Sequence, residues 1–437
     1  MNTNRRVAAV RTQWSRFRRS GAIPGWRIHL GVVALAAMMV AGCSSSTGSN
    51  PLHGAWGSPV PPTPTAVAPA PTAAAVADVP WSKVGPGWML AMWNPATGHG
   101  PGDMSPGEWT ADQLTTTLYL IDPAGARYAI TTFPPTGNNP RPQLVDWSGD
   151  GSHALFYLSD KHGSNAISVD LHTGTQTTLT VDGAPSYTRP DGKAILVSAG
   201  DNGNDTLKRI DLAGNPQFTY PTSQLGSAGK FDGDYRESPD GTQLVLSSTN
   251  SGKGSENNLV VMRNDGVVVR VLRSPMPGAH CSLVKFWTPT AVLTDCSADA
   301  GGQLWQVPLD GDAPTALTAV NSRNGDDPRF KGDYGDGDAW QLPSGTFLQS
   351  AGACGSIFLS RLTPDKGTAR VTPPGMESSV IVAGATADRL LLVGKVGCGG
   401  TTSLVSYDPA TNTDTVLLGP PVTGGAVFQA LLYTGQK

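Results

Sequence analysis

Charge is scarce in this 437-residue sequence: Asp, Glu, Lys and Arg supply 15% of it and aromatic residues 7%, whereas there are 53 glycines and 36 prolines. Such a composition leaves little room for long solvated helices and points to a turn-rich, mostly strand fold. Motifs of hydrolytic chemistry are absent too. There is no G-x-S-x-G, no H-E-x-x-H and no C-x-x-C, and His99, His153, His162, His172 and His280 are dispersed without a partner pattern.

The apolar run "LGVVALAAMMVA" at residues 30–41 is about as long as the core of a signal peptide and too short to span a bilayer comfortably. Seven arginines and no acid precede it, and it ends in "VAGC" at residues 40–43, which resembles a bacterial lipobox. We therefore expect residues 1–42 to be a lipoprotein signal peptide. The protein would be exported and held by a lipid on Cys43 at the outer face of the bacterial cytoplasmic membrane, two acyl signals sufficing for stable anchoring. The other reading is an ordinary signal peptide with an incidental cysteine.

Without that leader 24 basic residues face 34 acidic ones, a net charge near −10. No basic run survives in the mature part, which argues against nucleic acid and against an anionic membrane surface as main ligands. Membrane contact is expected through the lipid alone. From Cys43 to Pro80 the chain is nearly uncharged and rich in Pro, Ala and Thr, the composition of an extended, disordered tether.

A strand pair then recurs seven times: "LYLIDPAGARYAITTF" from Leu118, "ISVDLHTGTQTTLT" from Ile167, "LKRIDLAGNPQFTY" from Leu207, "LVVMRNDGVVVRVL" from Leu259, "LWQVPLDGDAPTALT" from Leu304, "IFLSRLTPDKGTARVT" from Ile357 and "LVSYDPATNTDTVLL" from Leu404. The starts lie 40 to 53 residues apart, and each pair is preceded by a first pair of its own. Four strands per period of this length is the signature of an all-β propeller, here seven four-stranded blades over residues 81–437. A sandwich would not repeat in register.

The turn "SPDG" at residues 238–241 is echoed by "RPDG" and "SGDG", and in degraded form by "LPSG" and "TADR". Pro presets φ, Asp bonds its own backbone and Gly takes φ > 0, so the motif reads as the corner between a blade's two inner strands. These turns resemble the WD40-like PD40 repeat of TolB-type propellers, found also in the propeller domain of prolyl oligopeptidases. The resemblance covers most of residues 81–420 and is best in the second to fourth blades. It implies a ring with a central channel. A prolyl oligopeptidase would add a large hydrolase domain, for which too little chain follows residue 420. The C-terminal "AVFQALLY" is expected to close the ring by pairing with the first blade around Trp88 to Trp93.

Four cysteines besides Cys43 invite disulfides in an exported chain. Cys281 and Cys296 flank the first strand pair of blade 5, while Cys354 and Cys398 occupy matching places in neighbouring blades, so Cys281–Cys296 and Cys354–Cys398 are the expected bridges. Asp333, Asp336 and Asp338 in "FKGDYGDGDAW" offer oxygen ligands of the kind Ca²⁺ takes, but not at EF-hand spacing, and a loop so rich in Asp and Gly is more often a solvated turn. No other cofactor is expected. The usual site of such a ring is the channel mouth, lined at the start of each innermost strand; the residues expected there are Arg141, Tyr187, Asp234, Tyr235, Arg236, His280, Asp333 and Tyr334.

These features together lead us to expect a monomeric, non-enzymatic lipoprotein whose propeller binds a cell-envelope protein or small ligand. The alternative is an enzyme acting on glycans or peptides through the channel mouth.

Overall fold

A computed structural model describes residues 67–98, 108–137, 139–160, 163–200, 205–223, 225–249, 256–323, 327–330, 332–352, 356–376, 379–396 and 400–435. Seven antiparallel sheets succeed one another along the chain, and each packs against the next to close a seven-bladed all-β propeller. From the inner strand outward, blade 2 is Gln143–Trp147, His153–Asp160, Gly163–Asp170 and Gln176–Val181. Blade 3 is Ala184–Tyr187, Ala194–Ala199, Thr206–Asp211 and Pro216–Thr219. Lys230–Glu237, Gln243–Thr249, Asn257–Arg263 and Val268–Arg273 form blade 4. His280–Thr288, Ala291–Ala298, Gly301–Pro308 and the short Thr315–Ala316 form blade 5. Gly335–Leu342, Gly345–Ala351, Ile357–Leu362 and Thr368–Val371 form blade 6, and Ser379–Ala385, Leu390–Val396, Gly400–Asp408 and Thr413–Leu418 form blade 7.

A blade is covered on both faces by its neighbours, so its middle strands read as continuous apolar runs instead of alternating ones. Leu244, Val245 and Leu246 are all buried, Leu244 and Leu246 against blade 3 and Val245 against blade 5. Seven such clusters fill the seven gaps between blades.

The first blade joins the two ends of the chain. Its innermost strand is Ala426–Leu432, paired antiparallel with Met89–Asn94 from Met89↔Leu432 to Asn94↔Ala426, and Thr116–Ile121 and Arg127–Phe133 complete it. Trp93 Nε1 donates to the Gly424 carbonyl at 2.8 Å across the seam, and the Tyr433 ring meets Trp147 edge-on at 4.9 Å. Closure by "AVFQALLY" is as the sequence leads one to expect.

The end of the tether is not. Ala74–Ala75 adds a parallel strand to the outer edge of blade 1, Val79 is buried in the cluster between blades 1 and 2, and the Ala68 N–H donates to Pro95. The outer edge of a blade carries unpaired backbone groups, and this segment satisfies part of it. Packing against the propeller thus begins near residue 67, not 81. The signal segment and Cys43 lie outside the described residues, as do Cys354 and Cys398.

Turns between the two inner strands follow one scheme in blades 2 and 4. Ser238 Oγ donates to Asp240 at 2.6 Å and accepts the Gln243 N–H, and the Gly241 N–H closes on the Ser238 carbonyl; Ser148, Asp150, Gly151 and His153 repeat this bond for bond. Gly241 has φ +71°, and a Cβ there would lie 2.0 Å from the Arg189 carbonyl of the blade 3 turn. The turn therefore needs Gly for its conformation and for close approach to the next blade. In blade 5, directly opposed Cys281 and Cys296 are joined by a disulfide.

Candidate functional site

Because the blades repeat, the first residues of the innermost strands lie on one rim of the channel and the inner turns on the other. The residues expected at the mouth divide between these ends. Arg141 sits two residues before the inner strand of blade 2, and His280 opens that of blade 5. Asp333 and Tyr334 come just before the inner strand of blade 6, Asp333 buried and Tyr334 exposed.

The other four lie further along their strands and hold blades together. Tyr187 is a core residue at 1% exposure, with its hydroxyl 2.7 Å from Ser168 Oγ and its N–H donating to Asp146 Oδ2 at 2.8 Å. Asp234 Oδ2 accepts the Leu283 N–H of blade 5 at 2.7 Å, and its Oδ1 accepts from Arg236 Nη1 at 3.1 Å. Arg236 Nε donates to the Val284 carbonyl, and the Tyr235 hydroxyl meets Ser186 Oγ at 2.6 Å. Burial raises the pKa of both tyrosines, so both stay neutral hydroxyls. The polar atoms of Tyr187, Asp234, Tyr235 and Arg236 thus connect neighbouring blades.

The reason lies in the register. Inner-strand pairing slips between Phe231 and Tyr235 in blade 4 and between Asp336 and Asp338 in blade 6, so the shared element is the Asp-Gly-Asp of 232–234 and 336–338. The textual match of "FDGDY" to "FKGDY" equates Asp333 and Tyr334 with Asp234 and Tyr235, five residues too early.

The same slip separates the three carboxylates weighed for Ca²⁺. Asp338 pairs with Lys285 of blade 5 at 2.8 Å, whose ammonium lies 4.2 Å from the Trp340 ring centroid. Asp336 points elsewhere and accepts from Ser350 Oγ at 2.6 Å. Among the described residues no three His, Cys, Asp or Glu side chains are grouped to hold a metal ion.

Sequence reasoning missed what stands beside Asp336. Arg323, in the connection between blades 5 and 6, adopts φ +54°, an uncommon conformation for a side-chain-bearing residue. Its guanidinium lies where a Cβ on Gly302 would sit 2.1 Å from Nη2 and one on Gly335 would sit 3.0 Å from Nε. Two glycines thus make its seat. Nη2 is 3.7 Å from Asp295 Oδ1, while buried Arg323 Nε and Asp295 Oδ1 have no hydrogen-bond partner among the described residues. Asp333 is held by the Gly335 N–H at 2.7 Å and Thr368 Oγ1 at 3.0 Å. Burial, then the charge of Asp333, pushes the Asp336 carboxyl up to about 8; burial also raises Asp333. Both shifts favour the protonated carboxyl. Nothing periodic marks Arg323 or Asp295 in the sequence, and glycines in a turn-rich chain do not announce a seat.

A second buried acid lies nearer the other rim. Glu237 accepts from the Arg189 N–H at 2.7 Å and from Asn264 Nδ2 at 3.0 Å, and burial outweighs those bonds to push it to about 7. The Arg189 side chain pairs with Asp146 at 2.7 Å.

No protein-family model matches the chain, and no curated protein matches it. Solved structures do. A prolyl endopeptidase is similar at 15% identity and a TM-score of 0.47, over 71% of this chain and 47% of its own. A puromycin-hydrolysing peptidase of Mycobacterium tuberculosis is similar at 14% and 0.46, over 82% and 56%. TolB of Acinetobacter baumannii is similar at 14% and 0.39, over 79% and 66%. What is shared is the propeller fold. The chain spans only about half the length of the two peptidases, and similarity at this level concerns fold alone. The expectation of a non-enzymatic scaffold is not carried forward; the peptide-acting alternative is the reading taken up below.

Proposed function

We propose that the protein is a peptide-acting hydrolase whose site is the channel mouth between blades 5 and 6. The observation that carries this reading is the seat formed by Gly302 and Gly335, which holds the Arg323 guanidinium, Nε unpartnered, beside the carboxyl groups of Asp295, Asp333 and Asp336. In the proposed reaction Asp295 takes a proton from water as its oxygen bonds to the amide carbon. Asp336 donates its proton to the leaving nitrogen as the C–N bond breaks, and Arg323 faces the oxygen where charge develops. Asp333, both oxygens bonded, holds the loop and keeps Asp336 protonated. Export and anchoring through Cys43 belong to the same reading, supported by the arginine-rich leader and "VAGC"; Cys43→Ser should release the protein from the membrane fraction or leave unprocessed precursor.

Incubating the purified chain with a mixed peptide library, read by mass spectrometry, tests the activity. We expect cleavage that Asp336→Asn reduces by about a hundredfold or more without loss of fold. Cleavage unchanged by Asp336→Asn, no cleavage of any peptide, or cleavage of glycans alone overturns the reading.

A further inference from the structure

The arginines at the channel differ in how their charge is used. Arg236 donates to Val284, Asp234 and its own neighbour's carbonyl, and Arg189 is paired with Asp146. Arg141 does neither: among the described residues its guanidinium meets no hydrogen-bond acceptor, and it lies over the Phe428 ring with Cζ 4.2 Å from the centroid. Phe428 belongs to the seam strand that closes blade 1. Close by, the Leu144 N–H donates to Gln429 Oε1 at 2.8 Å, which fixes the inner strand of blade 2 beside that seam.

Held over the Phe428 ring through its Cζ, the guanidinium gains cation–π attraction without consuming an N–H donor, so its fork stays available to an acceptor. Burial lowers the pKa of Arg141, with the charge of Asp112 acting in the opposite sense. A half-buried cation that has given up water and gained no acceptor is poised for an incoming anion. The planar fork matches a carboxylate bidentately, and the apolar rim of Phe428 favours a carboxylate that carries a side chain beside it.

We propose that Arg141 and Phe428 form an anchor for the terminal carboxylate of a peptide on the seam side of the mouth. Arg141 lies before blade 2, whereas Asp336 and Arg323 lie at blades 5 and 6, across the ring. A peptide held at its C-terminus by Arg141 would extend over the opening toward the acids. The inference deepens the enzymatic reading, but its binding test does not depend on turnover.

Isothermal titration of the full chain with N-acetyl-Ala-Ala-Phe as free acid, as its amide, and with acetate alone, at pH 7 and low salt, decides it. We expect the acid to bind at least about tenfold more tightly than the amide, Arg141→Gln to erase that difference, and Arg141→Lys to restore only part of it, because an ammonium keeps the charge but not the fork. Arg141 makes no hydrogen bond among the described residues, so the melting temperature of Arg141→Gln should stay within a few degrees of the parent, keeping folding and binding separable. Equal binding of acid and amide, no binding of either, or a preference that survives Arg141→Gln overturns the anchor. Acetate competing as well as the peptide acid overturns the peptide part. Failure of hydrolysis with acid preference intact sinks the enzymatic reading alone.

Discussion

Blades 2 to 4 and blades 5 to 7 solve one problem with different atoms. In the earlier blades a carboxylate on the innermost strand reaches sideways: Asp146 accepts the Tyr187 N–H of blade 3, and Asp234 accepts the Leu283 N–H of blade 5. Later, the bond from blade 6 to blade 7 comes from Gln349 on the second strand, whose Oε1 accepts the Val382 N–H while its Nε2 donates to the Val380 carbonyl. A neutral amide there supplies both donor and acceptor and needs no counter-ion. Asp146, by contrast, carries a charge into the structure and must keep Arg189 beside it. The inner strand's N–H must be met, but the residue type that meets it is free to drift, which is why the repeat fades along the sequence while the sheets do not.

Truncation after Gly425 tests the ring before it tests any link. It removes the innermost strand of blade 1 and uncovers Met89 to Asn94, so loss of soluble folded protein is expected; an unchanged melting temperature would mean that the seam does not hold the ring. Next in size is Asp146→Ala, which strands the Tyr187 N–H and the Arg189 guanidinium and should cost about 3 kcal/mol in urea denaturation. Gln349→Ala removes only neutral bonds and should cost about 1 kcal/mol. Equal costs would erase the distinction between charged and neutral links.

The two raised acids sharpen the comparison through pH. Glu237 and Asp336 titrate in the folded protein at about 7 and about 8, above the ordinary carboxyl range. Between the unfolded and folded values the native state binds more protons. The stabilisation is therefore complete below about pH 4 and is lost as pH rises through 7 for Glu237 and through 8 for Asp336. Melting temperature should fall from pH 5 to pH 8.5, with Glu237→Gln lessening the fall up to about pH 7 and Asp336→Asn lessening it throughout and removing the part above pH 7. A flat parent profile would contradict both shifts. The smallest contrast is in the turns: Ser238→Ala breaks the hydroxyl network and should cost about 1 kcal/mol, whereas Ser344 Oγ is buried with no partner among the described residues and Ser344→Ala should change stability by less than about 0.5 kcal/mol.

What could be read from the residues alone follows the same division. Strand pairs, their period and the closing role of Ala426–Leu432 were legible because apolar runs and turn residues act locally and recur. The mouth was legible only in part. Arg141 and His280 fall at strand starts as the period implies, but a bulge moves Asp232 and Asp336 into each other's equivalent place, and no letter-by-letter match sees a bulge. Tyr187, with a residue type common at binding surfaces, is instead core because the far end of a short inner strand lies between blades 2 and 3. Arg323 was invisible because its seat is made by what Gly302 and Gly335 lack.

The seam has a consequence for the order of events in folding. Blades 2 to 7 are each made from contiguous chain and can assemble as they emerge, with contacts that are short in sequence. Blade 1 cannot: Trp93 waits for Gly424, 331 positions later, and until then the Met89–Asn94 strand presents an open apolar edge. Joining ends so far apart in a free chain would cost about 5 kcal/mol in closure entropy, but six finished blades already bring them together, so the last strand enters a waiting slot. The interval between making the first blade's outer strands and supplying its inner one is when this chain is most exposed to sticking to another copy of itself, and a delayed arrival of Ala426–Leu432 would lengthen it.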